Sequence, residues 1–180
     1  QNPGNRGKGY SVRHGMQEAQ GDWILSTDAD LSSPLEEVDK LLAAAESQRA
    51  EGEPAAVAIG SRALDRSLVG VHQAAMREWS GRLFNVIMRA ATGLPFRDTQ
   101  CGFKLFRKDA ARVIFPRQRL DGFGFDVEDL LIARIHRFKV VEVPVRWDNV
   151  EGTKVSALTG ARAFWDLAVV RWHQLCGRYR

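Results

Sequence analysis

The apolar residues follow two different spacings along the chain, and these spacings predict strands and helices in alternation. Compact apolar runs at Trp23–Thr27 and Ala55–Ser61 are typical of buried strands, and Phe103–Phe106 alternates like a third. The run Val140–Trp147 predicts a fourth strand, in which Pro144 favours an edge or irregular position. Helical spacing predicts helices over residues 8–19, 33–48, 73–92, 109–114, 126–137 and 161–175. The alternation indicates a layered α/β domain.

Turn and cap residues set several of these bounds. Ser33 and Pro34, followed by two glutamates, predict a capped helix start. Gly93 is expected to end the long helix before it. Residues 64–70 predict a polar loop.

Size and composition indicate one globular domain that covers residues 1–180. Hydrophobic residues make up 44% of the chain and charged residues 27%. No apolar run reaches the roughly 20 residues that span a bilayer, and no secretory signal opens the chain. We therefore expect a cytoplasmic protein, either free or peripheral at the cytosolic face of a membrane. The two cysteines, Cys101 and Cys176, match no metal spacing and are expected to be reduced.

The charge balance is mildly basic, and the start of the chain is unusual for this fold class. A formal net charge of +4 suits phosphates or acidic lipids but does not indicate nucleic acid. The first nine residues resemble a loop with no strand before it, whereas α/β domains normally begin with a buried strand. We therefore expect the first strands of the domain to precede Gln1.

The acidic triplet Asp28-Ala29-Asp30 is the strongest candidate for chemistry. It follows the first predicted strand, and ligands of open α/β sheets bind beyond the carboxyl ends of strands. Two carboxylates at this spacing can share one hard cation, and Mg²⁺ or Mn²⁺ held in this way usually bridges to substrate phosphates. A solvated turn before a helix would show the same pattern.

Further polar residues are candidates for the same site. The stretch Asn5–Gly9 can place the cation of Lys8 and backbone N–H groups at a helix N-terminus, an arrangement that favours phosphate. Residues 98–103 bring polar groups and a glycine to the start of a strand. Asp126 and Glu128 open a predicted helix, where acids are favourable for dipole reasons alone. Single cations stand at Arg62, Arg77 and Lys154, the last of them in a possible flap.

Taken together, these motifs resemble the family 2 glycosyltransferases, in particular the dolichyl-phosphate β-glucosyltransferase group and its bacterial relatives. The matching stretches occur in family order over nearly the whole chain. They are Asn5–Gly9, Asp28–Ser32, Gly60–Arg62, Asp98–Phe106, Phe125–Glu128 and Glu142–Trp147, of which Asp98–Phe106 is the most specific.

The resemblance implies a GT-A fold, that is, a Rossmann-like α/β fold with a mixed sheet flanked by helices. It also implies inverting transfer of a hexose, with UDP-glucose as the expected donor and a polyprenyl or dolichyl phosphate as acceptor. Asp28 and Asp30 would hold Mg²⁺ or Mn²⁺ on the donor diphosphate. The other implied donor contacts are Lys8, Ala29 and Gln100; the acceptor phosphate would meet Arg62, Arg77 and Ser80, and the catalytic group would comprise Asp98, Glu128 and Lys154.

The sequence departs from the family pattern in two places and leaves two alternative functions open. The family's opening strand and its base-binding Asp-Asp-Gly-Ser segment are absent, and Thr153 stands where relatives usually carry Ser. A polyprenyl-phosphate mannosyltransferase using GDP-mannose would share most of these motifs. A truncated, non-catalytic fragment would share all of them, and the isolated chain would then be inactive.

The last predicted helix combines aromatic and cationic residues. Trp165, Trp172 and Leu175 alternate with arginines over residues 161–180. Such a helix suits a membrane interface, although packing on the domain core would explain it equally well.

Overall fold

In the computed structural model, strands and helices alternate as the apolar spacing predicts. The structure describes residues 2, 4–49, 52–71, 85–148 and 157–180, and the side chains of all of these except 71 and 157–164. The strands are β1 (Trp23–Ser26), β2 (Val57–Ser61), β3 (Val69–Val71), β4 (Lys104–Arg107), β5 (Val140–Pro144) and β6 (Trp147–Asp148). The helices are α1 (Lys8–Glu18), α2 (Val38–Ser47), α3 (described over 85–92), α4 (Lys108–Ile114), α5 (Phe125–Ile135) and α6 (Ala157–Leu175).

Four of the strands form a mixed sheet in the order β1-β4-β2-β5. Strand β4 is antiparallel to both of its neighbours, so β1 and β2 run in the same direction, and β5 is parallel to β2. Within β4, Lys104 lies between Ser26 of β1 and Ile59 of β2. The short strands β3 and β6 form a separate parallel pair. The sheet therefore brings the ends of β1 and β2 and the start of β4 to one edge. This edge runs across the strand ends and not along an outer strand.

The period-two alternation of side chains divides the apolar core between the two faces of the sheet. On β2, Val57 and Ile59 face a cluster that includes residues of α1, α3, α4, α5 and α6. Ala58, between them, faces a smaller cluster built around Leu41 and Ala45 of α2. Helices on both faces of a mixed sheet confirm the predicted α/β architecture.

The predicted bounds of most elements are confirmed to within a few residues. Helix α1 ends one residue before the prediction, and α6 begins four residues before it, at Ala157. The described part of α3 ends before Gly93, whose φ of 70° lies in the left-handed region that terminates helices. The rest of the predicted 73–92 helix lies outside the described residues. Among the residues that the structure describes, no helix is long and apolar enough to cross a membrane.

The predicted start of α2 is wrong. Pro34 has an extended ψ of 147° and precedes a 3-10 turn at Leu35–Glu37, so α2 begins only at Val38. The Ser33 hydroxyl is buried without a hydrogen-bond partner and caps nothing. The turn is held instead through the Glu37 carboxylate, which accepts hydrogen bonds from the Arg146 backbone N–H and from Lys40.

Two further predictions need correction. The predicted loop 64–70 contains a 3-10 turn at Arg66–Leu68 and most of β3. The single strand predicted over 140–147 is divided: β5 ends at Pro144, and β6 resumes at Trp147 beside β3. Val145, just after the proline, still donates its backbone N–H to the Ser61 carbonyl of β2, and the chain pairs with β3 only from Trp147. Among the described residues β5 is an outer strand of the sheet, in agreement with the predicted edge or irregular position of Pro144.

Helix α5 carries three acids in a buried position. Asp126, Glu128 and Asp129 are all buried, and Asp129 Oδ1 has no hydrogen-bond partner. Burial, reinforced by the charges of Glu128 and Asp126, raises the pKa of Asp129 well above its ordinary value. The neutral carboxyl is therefore the form that the fold favours.

This burial predicts a pH-dependent effect of Asp129→Asn, which mimics the neutral acid. Because the folded-state pKa is raised, the folded protein holds a proton that the unfolded chain releases, and stability falls as pH rises above the ordinary carboxyl pKa. The variant escapes this loss. Its free energy of unfolding should therefore rise relative to wild type between pH 5 and 8, by at most about 1.4 kcal/mol per pH unit.

Urea denaturation across that pH range measures the difference. Asp22→Asn, which removes an exposed carboxylate, is the control for the loss of one charge. A difference between Asp129→Asn and wild type that stays constant with pH would contradict the assignment of a buried neutral carboxyl.

Candidate active site

The candidate site lies at the edge of the sheet where β1 and β2 end and β4 begins. Asp28 follows β1, Arg62 follows β2, and residues 98–103 lead into β4. Since β4 is antiparallel to both neighbours, its first residues meet the last residues of β1 and β2. This edge is where open α/β sheets bind ligands.

Asp28 is paired with a cation from the start of α1. The Nζ of Lys8 lies 2.5 Å from Asp28 Oδ1, and each side chain is 31% exposed. Burial works against the charged form of Lys8, but the charges of Asp126 and Asp28 outweigh it and raise the pKa of the ammonium. Lys8 is therefore a fixed positive charge at the end of β1.

Glycines set the position of this pair. Gly102 passes so close to Asp28 that a Cβ atom there would collide with the carboxylate. Gly7, with a φ of 108°, and Gly9 lie against the backbone of the loop 120–122 in the same way. Close backbone approach on both sides brings the start of α1 and the segment before β4 to Asp28.

Asp30 occupies a tight turn beyond Asp28. Its Oδ1 accepts hydrogen bonds from the Ser32 backbone N–H at 3.1 Å and from the Ser32 hydroxyl at 2.7 Å. Leu31, between them, has a left-handed φ of 52°, and the Ser32 carbonyl accepts a hydrogen bond from the Asp148 backbone N–H. Asp30 and Ala29 are exposed. The turn therefore presents Asp30 outward while one of its oxygens is held in place.

A bidentate ion pair joins Arg62 to Asp98. Nε and Nη2 of Arg62 donate to the two carboxylate oxygens at 2.7 and 2.9 Å, and the Arg62 backbone N–H donates at 3.1 Å. The backbone N–H groups of Gln100 and Cys101 donate to the same carboxylate. Burial opposes ionisation of Asp98, but Arg62 more than offsets it, so the pKa of Asp98 is lowered. Asp98 therefore organises this edge as a permanent anion.

A second buried pair lies beneath this edge. Lys104 of β4 donates to Asp126 at the start of α5, and both side chains are almost fully buried. The Phe125 ring lies 5.8 Å from Lys8 Nζ and 6.0 Å from Lys104 Nζ. Lys104 was not singled out from the sequence, although a lysine within the apolar run Phe103–Phe106 is the signal that could have revealed it.

Glu142 is another residue that the sequence did not single out. Its carboxylate accepts hydrogen bonds from the backbone N–H groups of Arg97 and Asp98, at 3.0 and 2.8 Å. It therefore ties β5 to the segment that carries Asp98. Glu142 opens the matching stretch Glu142–Trp147, but no role was predicted for it, because an acid near the end of an edge strand is usually solvated.

Cys101 is buried at the same edge. Burial and the nearby charge of Asp98 raise the pKa of its thiol to about 11. The thiol is therefore neutral near physiological pH and acts as a small packing group.

Glu128 lies in a different network from the charged pairs at the sheet edge. One of its oxygens accepts the backbone N–H groups of Arg119 and Leu120, and the other accepts the Tyr179 hydroxyl at 2.8 Å. Burial raises the pKa of Glu128 in spite of these hydrogen bonds. These partners give Glu128 a structural position, in which it joins the loop before α5 to the segment after α6.

The remaining predicted site residues divide into two groups. The backbone of Gln100 belongs to the Asp98 network, and its half-buried side chain makes no hydrogen bond to the residues that the structure describes. Arg77, Ser80 and Lys154 lie outside the described residues.

The acidic residues at this edge fit a divalent cation that is shared with a substrate. The described residues contain no group of three or more potential metal-ligating side chains. Asp30 keeps one oxygen that no described residue engages, and Asp28 stands two residues before it at the end of β1. One or two carboxylates completed by phosphate oxygens and water are the usual Mg²⁺ arrangement at phosphate sites. The donor set therefore suits a cation that a phosphate ligand helps to hold.

The sequence matches a known family over most of its length. Residues 1–115 match the family described as glycosyl transferase family 2. The chain belongs to this family. The resemblance drawn from the motifs is thereby confirmed.

Named relatives extend the match over almost the whole chain. The dolichyl-phosphate beta-glucosyltransferase of Saccharomyces cerevisiae is 35% identical over 98% of this chain and 55% of its own length. The proteins of the same name from Drosophila melanogaster and Homo sapiens are 34% and 32% identical over 98% of this chain, and over 54% and 55% of their own lengths. The chain spans about half the length of these relatives.

Solved structures confirm the GT-A fold. Glucosyl-3-phosphoglycerate synthase from Mycobacterium tuberculosis, in complex with Mn²⁺, UDP-glucose and phosphoglyceric acid, superposes with a TM-score of 0.59 at 14% identity. The match covers 95% of this chain and 57% of that one. The same enzyme with Mg²⁺ and UDP gives a TM-score of 0.59 at 13% identity, with the same coverage.

The Arg62–Asp98 geometry predicts a large loss of stability for Asp98→Asn. An amide nitrogen would face N–H donors, and the half-buried Arg62 guanidinium would lose its counter-ion. We expect the free energy of unfolding to fall by about 2–4 kcal/mol in urea denaturation.

Arg107 and Asp109 supply a matched control on the surface. Their side chains form the same two hydrogen bonds, at 2.7 and 2.8 Å, but Asp109 is 53% exposed. Asp109→Asn should therefore cost less than about 1 kcal/mol. Equal losses for the two variants would show that the buried pair has no special structural role.

The close approach at Gly102 predicts that Gly102→Ala destabilises the fold through Asp28. The new Cβ would collide with the Asp28 carboxylate, and we expect a loss of about 1–3 kcal/mol in the free energy of unfolding. Gly15→Ala is the control, because a Cβ there meets nothing within 4 Å and should be neutral or stabilising.

A double variant tests the cause. Asp28→Ala removes the atoms that the new methyl group would strike, so Gly102→Ala should cost less in the Asp28→Ala background than in wild type. Additive losses in unfolding free energy would rule out the collision as the cause.

Proposed function

We propose that the protein transfers a glucosyl group from UDP-glucose to a polyprenyl or dolichyl phosphate, with inversion at the anomeric carbon. The observation that carries the proposal is the pairing of Lys8 with Asp28 beside the outward-facing Asp30, at the end of β1. A cation and two carboxylates at this edge suit a nucleotide diphosphate and its metal ion. The relatives named dolichyl-phosphate beta-glucosyltransferase support the lipid phosphate as acceptor and glucose as the sugar.

Donor binding is assigned to the Lys8–Asp28 pair and the neighbouring Asp30. Asp28 and Asp30 would hold Mg²⁺ or Mn²⁺ on the diphosphate, and the bound ion would supply Lewis-acid stabilisation of the leaving group. Lys8 would place its fixed charge near the same diphosphate, since its ammonium stays protonated beside Asp28 and Asp126. The gain is electrostatic preorganisation, because these charges are in place before the reaction begins.

Acceptor binding is assigned to the Arg62–Asp98 pair. Arg62 uses Nε and Nη2 for Asp98, while its Nη1 makes no hydrogen bond to the residues that the structure describes. That nitrogen would receive the acceptor phosphate, with Arg77 and Ser80 as further proposed contacts. Asp98 then acts by orienting Arg62 rather than by removing a proton. Lys154 is proposed to close over the diphosphate.

The chemical step needs no strong general base. A lipid phosphate is already anionic near neutral pH, so one of its oxygens attacks the anomeric carbon as the bond to the diphosphate oxygen breaks. The electron pair of that bond leaves with UDP, and attack from the opposite side turns an α-linked donor into a β-linked product. Alignment and charge stabilisation are the main contributions left to the protein. Glu128, held by Tyr179, Arg119 and Leu120, is not needed as a base.

Asp30→Asn is expected to lower the kcat/KM of glucosyl transfer by about 100-fold or more, because a neutral amide is a poor ligand for Mg²⁺ or Mn²⁺. Transfer from labelled UDP-glucose to a polyprenyl phosphate measures the loss, with and without EDTA. Asp39→Asn, an exposed substitution on α2, is the matched control.

The free energy of unfolding of the Asp30→Asn variant in urea should lie within about 0.5 kcal/mol of wild type, because Asp30 is exposed. Undiminished, metal-dependent transfer by a folded Asp30→Asn protein would overturn the metal assignment. Transfer of mannose from GDP-mannose in preference to glucose would overturn the donor.

A further inference from the structure

One face of α6 is apolar and exposed. Trp165, Trp172 and Leu175 are 71%, 61% and 68% exposed, and Ala168 between them is exposed as well. Spacings of three and four residues place these four side chains in one row, which is called the outer stripe here. On the opposite side of the helix, Leu167 and Val170 are buried in the core. Leu167 and Val170 therefore pack α6 on the domain core, and no described residue covers the outer stripe.

The charged residues of α6 and the segment after it are almost all positive. Residues 157–180 contain four arginines and a single acid, Asp166. Asp166 Oδ2 accepts a hydrogen bond from the Gly124 backbone N–H at 3.0 Å, so this acid is directed at the loop before α5. Arg171, beside Trp172, and Arg178, just beyond the helix, are exposed. The surface therefore combines tryptophans with exposed arginines.

The same loop connects the outer stripe to the candidate active site. Gly122 and Gly124 pack against Asp166, the neighbour of Trp165, and Phe123 between them is 41% exposed. A few residues earlier, the Asp121 carbonyl accepts the Tyr10 backbone N–H next to the start of α1. An occupant of the outer stripe would therefore lie close to the loop that supports Lys8.

We propose that the outer stripe docks on a bilayer that contains anionic lipids. Its tryptophans and Leu175 enter the headgroup region, and Arg171 and Arg178 pair with lipid phosphates. Tryptophan and arginine on one helix face are the composition that binds in the interface plane of a membrane. A second copy of the chain fits this surface less well, because it would bring like-charged arginines together. The proposal rests on the proposed function, whose acceptor is a lipid phosphate, and adds the surface by which the protein reaches it.

Co-sedimentation with vesicles tests the docking surface. Phosphatidylcholine vesicles, with and without about one-third phosphatidylserine, are compared at low and high salt. Trp165→Gln combined with Trp172→Gln should weaken binding to acidic vesicles about tenfold or more. Arg171→Gln and Arg178→Gln should each weaken it roughly fivefold at low salt, and have little effect on neutral vesicles.

Val86→Gln is the matched control. Val86 lies on α3 and is 64% exposed, so this variant removes an exposed apolar side chain from another helix. It should bind vesicles like wild type. Circular dichroism and urea denaturation of each variant should match wild type, since all the substituted side chains are exposed.

Two outcomes would overturn the proposal. In the first, the double tryptophan variant binds acidic vesicles as tightly as wild type. In the second, analytical ultracentrifugation without lipid shows a wild-type dimer that the same variant converts to a monomer. That result would assign the outer stripe to a contact between copies.

A soluble acceptor separates this proposal from the proposed function. The double tryptophan variant should transfer glucose normally to a short-chain, water-soluble prenyl phosphate, and lose transfer only to an acceptor embedded in vesicles. Wild-type protein that binds vesicles through these tryptophans but transfers to neither acceptor would support the docking surface and sink the proposed function. Transfer to the soluble acceptor without any vesicle binding would sink the docking surface alone.

Discussion

The candidate site depends on the hydrogen bonds that the Asp98 carboxylate accepts. This carboxylate accepts five hydrogen bonds, three from Arg62 and one each from the backbone of Gln100 and Cys101. A buried carboxylate is stable only when it is paired and hydrogen-bonded in this way. By joining the end of β2 to the segment before β4, it fixes where Gly102 passes Asp28 and where Lys104 enters the sheet. The positions of the other charged groups follow from that one connection.

The charges at this edge are arranged in pairs of opposite sign. Lys8 meets Asp28, Arg62 meets Asp98, and Lys104 meets Asp126, with burial increasing towards the inside of the fold. The innermost pair is almost completely buried and supports the start of α5, whereas the outer two keep partial contact with solvent. A ligand therefore meets groups whose orientation is already fixed by partners behind them. Such preorganisation lowers the reorganisation needed when charge moves during a reaction.

The sequence predicted the fold class and most element bounds, because the apolar spacing that predicts an element lies within a single segment, as in the compact run of β2 and the helical spacing of α5. It failed at the start of α2, where Ser33 and Pro34 have the pattern of a cap but Pro34 is extended and Glu37 bonds to Arg146, a residue distant along the chain. Asp28 and Asp30 were identifiable because they follow a compact apolar run, which forms β1 with Ile24 buried. Their pairing with Lys8, and that of Arg62 with Asp98, depends on tertiary contacts between segments far apart in the chain. Local patterns carry no information about such contacts.

The two cysteines differ in a way that has a practical consequence. Cys101 is buried and its thiol is held neutral, whereas Cys176 is exposed just beyond the end of α6. Maleimide reagents react with the thiolate form of accessible cysteines, so the native sequence should accept a label at Cys176 and leave Cys101 untouched. A fluorophore placed there would stand one residue from Leu175. It would report on the surroundings of α6 without any substitution in the chain.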